Sequence, residues 1–138
     1  MEQLPIVLEK LHPLKYKLMT KKQDLGNQGE SLALDFYIKN NYTILETNWA
    51  SGHLEIDIIA KNNNTIVFCE VKTRSSSNIK APIDAVNKLK QKNIIRAANH
   101  YICYKQITLE ARFDIITIIM NGGNADLEYI PGAYTPTW

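Results

Sequence analysis

From Asp24 to about Asn40 the apolar residues Leu25, Leu32, Phe36 and Tyr37 recur at helical spacing behind a capping aspartate. That pattern predicts a helix closed by Asn40-Asn41. Gly26, Gly29 and Ala33 fall three to four residues apart in it, a strip of small side chains that lets another backbone come close. Three strand-like runs follow: 43–49, closed by Ala50-Ser51-Gly52; 54–60, closed by Lys61-Asn62-Asn63-Asn64; and 65–73. Short runs separated by Gly, Asn and Ser clusters predict a hairpin meander. A polar loop over 75–78 leads to Pro82, which opens a second helix reaching about Tyr104. Residues 112–120 form a fourth apolar strand, 121–124 a turn, 127–130 a short last strand, and 131–138 an irregular tail. The order α-β-β-β-α-β-β predicts an α/β fold, a central mixed sheet flanked by helices, with no internal repeat.

The first residues stand apart from this pattern. Leu4, Val7, Leu8 and Leu11 make one or two amphipathic turns that Pro13 interrupts, and Lys15, Lys17, Lys21 and Lys22 form a basic lead-in. Residues 1–23 are therefore expected as an N-terminal extension to a single domain spanning 24–138, with Met19 an alternative translation start.

Composition narrows the class. The 138 residues are 45% hydrophobic and 22% charged, ordinary for a globular domain and unlike disordered or collagen-like chains. No apolar run approaches membrane-spanning length, so no membrane role is expected. The start lacks the order of a secretory signal. Cys69 and Cys103 have no metal or disulfide spacing, and a reducing, cytoplasmic setting is expected. Charge is unevenly placed: residues 26–71 hold two Lys against six acids, and residues 72–96 hold seven Lys or Arg against Asp84 alone. Divalent cations favour the first stretch and phosphates the second, although two solvated faces of unlike sign would read the same way.

Alternation sharpens the chemistry. In 54–59 the carboxylates Glu55 and Asp57 point one way, and Leu54, Ile56 and Ile58 the other. On the next strand Glu70 and Lys72 share a face opposite Val67, Cys69 and Val71. If the two polar faces coincide, Asp57, Glu70 and Lys72 gather in one patch. The alternative is a solvated face, where acids and lysines are ordinary. The runs around these residues are nearly continuous and apolar, as expected of strands covered on both sides. Charges there need partners or a function. Two repelling carboxylates would be relieved by Lys72 and by a hard divalent cation such as Mg²⁺ or Mn²⁺.

Asp57 followed by Glu70-Val71-Lys72 resembles the D…E-x-K signature of the PD-(D/E)XK nuclease superfamily. A longer pattern resembles the YraN family of endonuclease-like proteins, similar to archaeal Holliday-junction resolvases. It comprises Gly26-x-x-Gly29-Glu30 with Ala33, then Asn41-Tyr42, Asn48, Glu55-Ile56-Asp57 and Phe68-x-Glu70-Val71-Lys72-Thr73-Arg74. Ala81-Pro82, Ala85-Val86, Lys90, Ala97-Ala98 and Arg112-Phe113-Asp114 complete it. The ordered set, over roughly 24–133, is far more specific than E-x-K alone. Leu54 replaces the usual Gly before E-I-D, and Ala50 replaces a basic residue often found after Asn-Trp.

The resemblance implies a restriction-endonuclease-like αβββαβ core and a Mg²⁺- or Mn²⁺-dependent endonuclease, a phosphodiester hydrolase. Its catalytic set would be Glu30, Asp57, Glu70 and Lys72, with Asp57 and Glu70 as metal ligands. The implied substrate is DNA, including branched DNA, and cutting two strands symmetrically would call for a homodimer. The alternative is a noncatalytic nucleic-acid-binding or adaptor module that keeps the nuclease fold.

Ile83, Val86, Ile94, Ala97 and Tyr101 line one helix face with Lys90 in its middle, so Lys90 either snorkels to the edge or reaches the site. Arg74, Lys88, Lys92 and Arg96, with Lys80, are candidates to track phosphates beside Lys90. His12, His53 and His100 lack metal spacing and read as surface groups. Cys69 reads as core, Arg112 and Asp114 as a supporting ion pair, and Trp49 as packing more than as a base-stacking group.

Overall fold

The structure is a computed structural model that describes residues 7–11, 22–75 and 86–136. Its elements are β1 (Val7–Leu11), α1 (Lys22–Lys39), β2 (Thr43–Ser51), β3 (Leu54–Asn62), β4 (Thr65–Ser75), α2 (Lys88–Lys105), β5 (Glu110–Asn121) and β6 (Asn124–Tyr134). Six strands form one sheet in the order β1-β6-β5-β4-β3-β2. Only the β4–β5 pair is parallel, joined through α2, and the rest are antiparallel. This is the α/β architecture with a mixed sheet and two helices that a restriction-endonuclease-like core requires.

Three of the turns are two-residue hairpins, with Ser51, Asn62 and Asn121 pairing directly to Leu54, Thr65 and Asn124. Each opens on a left-handed residue (Gly52, Asn63 or Gly122), as a turn matching strand twist demands. Asn41 is likewise left-handed, and the amide of Tyr42 returns to the Tyr37 carbonyl, which stops α1 where the Asn pair predicts. The second helix begins later than expected. Asn87 is its N-cap, with its side chain accepting from the Lys90 amide, so the helix starts at Lys88 rather than at Pro82, which lies outside the described residues.

The two helices cover opposite faces. Ala33, Phe36 and Tyr37 of α1 pack on Ile58, Ala60, Val67, Cys69, Ile116 and Ile118. Val86, Ile94, Ala97, Ala98 and Tyr101 pack on Ile56, Ile59, Ile66, Phe68, Phe113 and Ile115. Cys69 is core as expected, and Trp49 packs edge-on against Tyr101 at 5.2 Å. The strip of small residues on α1 is used unevenly. A Cβ at Gly29 would overlap the Thr73 hydroxyl, so Gly29 is what lets α1 lie against β4, whereas a Cβ at Gly26 meets nothing within 4 Å.

Two expectations at the chain ends are corrected. Residues 7–11 are not a helical turn but an edge strand, antiparallel to β6. The last strand does not end at Ile130. It runs to Tyr134 through a register shift opposite Asp114, which absorbs Pro131 and Gly132 as a bulge.

Candidate functional site where two strands part

The β3–β4 ladder runs from Asn62 opposite Thr65 to Ile58 opposite Cys69. There the backbones separate. The Asp57 carboxylate fills the gap, its Oδ2 accepting from the Val71 amide at 2.8 Å. On the other side of β3, Asn48 is left-handed (φ 49°) between the pairs Thr47–Ile58 and Trp49–Ile56. Side-chain alternation therefore slips at Asp57. Ile56 joins the α2-side core and Ile58 the α1-side core, in place of the single shared face that regular alternation predicts. The slip lets Asp57 interact with groups from both helices.

Glu70 follows one residue beyond the end of the ladder. Its side chain is only 4% exposed, and its Oε1 lies 3.7 Å from both Lys72 Nζ and Lys90 Nζ. That separation allows charge attraction but exceeds a good hydrogen bond. Glu70 Oε2 is buried with no hydrogen-bond partner among the described residues. Burial first, and then the neighbouring Asp57 charge, push Glu70 up to about 7 against the pull of Lys90 and Lys72. Asp57 is also raised, chiefly by burial, with the Val71 amide and Lys90 opposing and Glu55 adding to the rise. The two carboxyls lie close enough to influence each other's protonation.

Glu30 approaches from α1. Burial and the Asp57 charge raise its carboxyl, while a hydrogen bond with the Asn48 side chain opposes that shift. Asn48 thus links the helix acid to the irregular strand, a role the sequence pattern marks only by an Asn inside a strand. Lys90 reaches over the sheet instead of snorkelling away. Glu55 is exposed and acts on Asp57 and Glu30 only through charge. Arg74 lines a groove with Glu30. Lys88, Lys92 and Arg96 are exposed on α2 at four-residue spacing, and no contact among the described residues draws them to the acids. His53 is exposed, and His100 hydrogen-bonds Ser51 at 2.9 Å away from this cluster.

The donor set suits a hard divalent cation in part. Two carboxylates face each other, and one has an oxygen in need of a partner. Mg²⁺ commonly binds through one or two carboxylates and keeps several waters. No group of three or more His, Cys, Asp or Glu among the described residues converges as a ready cage.

Arg112 and Asp114 do form the expected pair, Nε to Oδ1 at 2.8 Å. The pair belongs to a larger hub on the α1 face. Asp114, 0% exposed, also accepts from the Tyr37 hydroxyl at 2.8 Å, the Tyr129 hydroxyl at 2.7 Å and the Gly132 amide at 2.9 Å. Arg112 further donates to the Tyr42 hydroxyl. The bulge in β6 brings Gly132 to this carboxylate.

Fold and site together define an α/β protein with a restriction-endonuclease-like core and an acidic cluster where β3 and β4 part. Residues 29–118 match the family model described as Uncharacterised protein family UPF0102. The chain belongs to the UPF0102 (YraN) family. It is 41% identical to a UPF0102 protein of Bacteroides fragilis over 118 residues, 86% of this chain and 98% of the relative. A UPF0102 protein of Flavobacterium psychrophilum is 40% identical over 116 residues, 84% of this chain and 98% of the relative. One from Geobacter metallireducens is 42% identical over 113 residues, 81% and 93% of the two chains.

Proposed function

We propose that this protein is a divalent-metal-dependent nuclease that hydrolyses phosphodiester bonds of DNA, branched DNA included. The observation that carries the reading is the closeness of Asp57 to Glu70 at 4% exposure, with one Glu70 oxygen left without a partner among the described residues. Burying two carboxyls together costs stability, and such strained acids concentrate where a function needs them.

Asp57 and Glu70 would hold Mg²⁺ or Mn²⁺, which when bound neutralises charge on a phosphate and makes a nearby water more acidic. Lys72, 3.7 Å from Glu70, orients the attacking water and stabilises negative charge building on the non-bridging oxygens. Lys90 adds a second ammonium at the same distance. Glu30, tied to Asn48, holds a water at the edge of the acid pair. Arg74, Lys88, Lys92 and Arg96 track the substrate backbone. Wild-type protein is expected to cut plasmid or four-way-junction DNA with Mg²⁺, and Asp57→Ala and Lys72→Ala to lose that activity. Equal cutting by all three proteins would contradict the proposal.

A second reading is a noncatalytic nucleic-acid-binding module with the same fold. The observation favouring it is that only two carboxylates, rather than three or more ligands, meet among the described residues. Salt-dependent DNA binding with no Mn²⁺ binding would support it.

A further inference from the structure

A groove of about 240 Å³ lies between the start of α1 and the far end of β4, walled by Gly26, Glu30, Val71, Thr73, Arg74 and Met120. It adjoins the acid cluster, because Glu30 interacts with Asp57 and the Val71 amide is bonded to Asp57. Its lining combines an acid, Glu30, with the apolar Val71 and Met120 and the basic Arg74. This is too small a space for a duplex, whose bases are stacked inside it. It is the scale of one base with its sugar, removed from the stack. An aliphatic and thioether lining suits the face of a base, and Arg74 suits a neighbouring phosphate of the strand.

Resting on the nuclease reading, we propose that this groove holds one unpaired nucleotide beside the scissile phosphate, so that the protein cuts where a strand leaves the duplex. Gly26 is the specificity-determining position. Its missing side chain keeps the groove open, with no atom from another part of the described residues within 4 Å of where a Cβ would stand.

Gly26→Leu tests this without threatening the fold, since Leu favours a helix over Gly. The full chain is given Mg²⁺ and either a splayed-arm DNA or a fully paired duplex of the same sequence. Binding of labelled single-stranded deoxy- and ribo-oligonucleotides is followed in parallel by fluorescence anisotropy in Ca²⁺. Wild type is expected to cut the splayed DNA at least about tenfold faster than the duplex, near the branch. Gly26→Leu is expected to melt no lower than wild type and to lose that preference. Equal rates on both substrates in wild type, or splayed-arm cutting unchanged in folded Gly26→Leu, would overturn the groove assignment and leave the nuclease reading standing. If wild type cuts neither substrate, the nuclease reading fails and the anisotropy decides. About tenfold weaker oligonucleotide binding in Gly26→Leu supports the groove, and unchanged binding overturns it. The deoxy and ribo probes show which sugar it accepts.

Discussion

Asp114 and Glu70 are both buried carboxylates on neighbouring strands of one sheet, yet their surroundings are opposite. Asp114 accepts from a guanidinium, two tyrosine hydroxyls and a backbone amide, all at 2.7–2.9 Å. Glu70 has two ammonium groups at 3.7 Å, a second carboxyl beside it and one oxygen without a partner among the described residues. Charge-assisted hydrogen bonds at short range repay much of the cost of burying an anion, whereas a crowded and under-bonded anion destabilises the fold. The α1 face of the sheet therefore spends its acid on structure. The polar patch where β3 and β4 part leaves its acids under-bonded among the described residues.

Replacing each carboxylate by its amide should separate the two sites most sharply. Asp114→Asn leaves the Arg112 guanidinium without its counter-charge and turns an amide NH2 toward partners that all donate to Asp114. A loss of about 3–5 kcal/mol in urea unfolding is expected. Glu70→Gln removes an anion that the metal-free fold accommodates poorly. At pH 8 it should raise stability by roughly 1–3 kcal/mol. Loss of stability in both variants would erase the contrast.

The contrast also has a pH signature. Native Glu70 is raised to about 7, above its ordinary value of 4.5, so the folded state holds the extra proton between those values. The metal-free protein should lose stability as pH rises through that window and level off above it. Glu70→Gln should flatten this part of the profile, measured as the urea midpoint from pH 4.5 to 8. A wild-type midpoint that climbs with pH there, by the amount expected of a single carboxyl, would contradict the burial argument.

Most of the fold was legible because each hairpin carries its turn residues between runs of strand-forming side chains. That Glu70 and Lys72 share a face was legible from two-residue periodicity. What periodicity could not show is the break in it. The left-handed Asn48, the ladder ending at Ile58–Cys69 and the division of Ile56 from Ile58 arise where strands stop being regular. The Arg112–Asp114 pair was visible within one strand. Tyr37 and Gly132 reach it from distant segments, and no local pattern records that convergence. The strand at Val7–Leu11 was missed for the same reason, since its partner is the last strand of the chain.

The smallest expected effects concern the two glycines of α1 that flank the acid cluster. Gly29→Ala forces Thr73 to move and should cost about 1–3 kcal/mol. Gly26→Ala, with open space at its Cβ, should gain up to about 1 kcal/mol through helix propensity. Equal effects at the two positions in thermal melts would mean that α1 does not rest on β4 through Gly29.

The proposal that Asp57 and Glu70 together bind a cation is tested by calorimetric titration with Mn²⁺ at pH 8. Wild type is expected to give saturable heat, its affinity falling as pH is lowered below about 7, and folded Asp57→Ala and Glu70→Gln to give none. Wild-type protein that gives no heat, or variants that bind Mn²⁺ as it does, would contradict it.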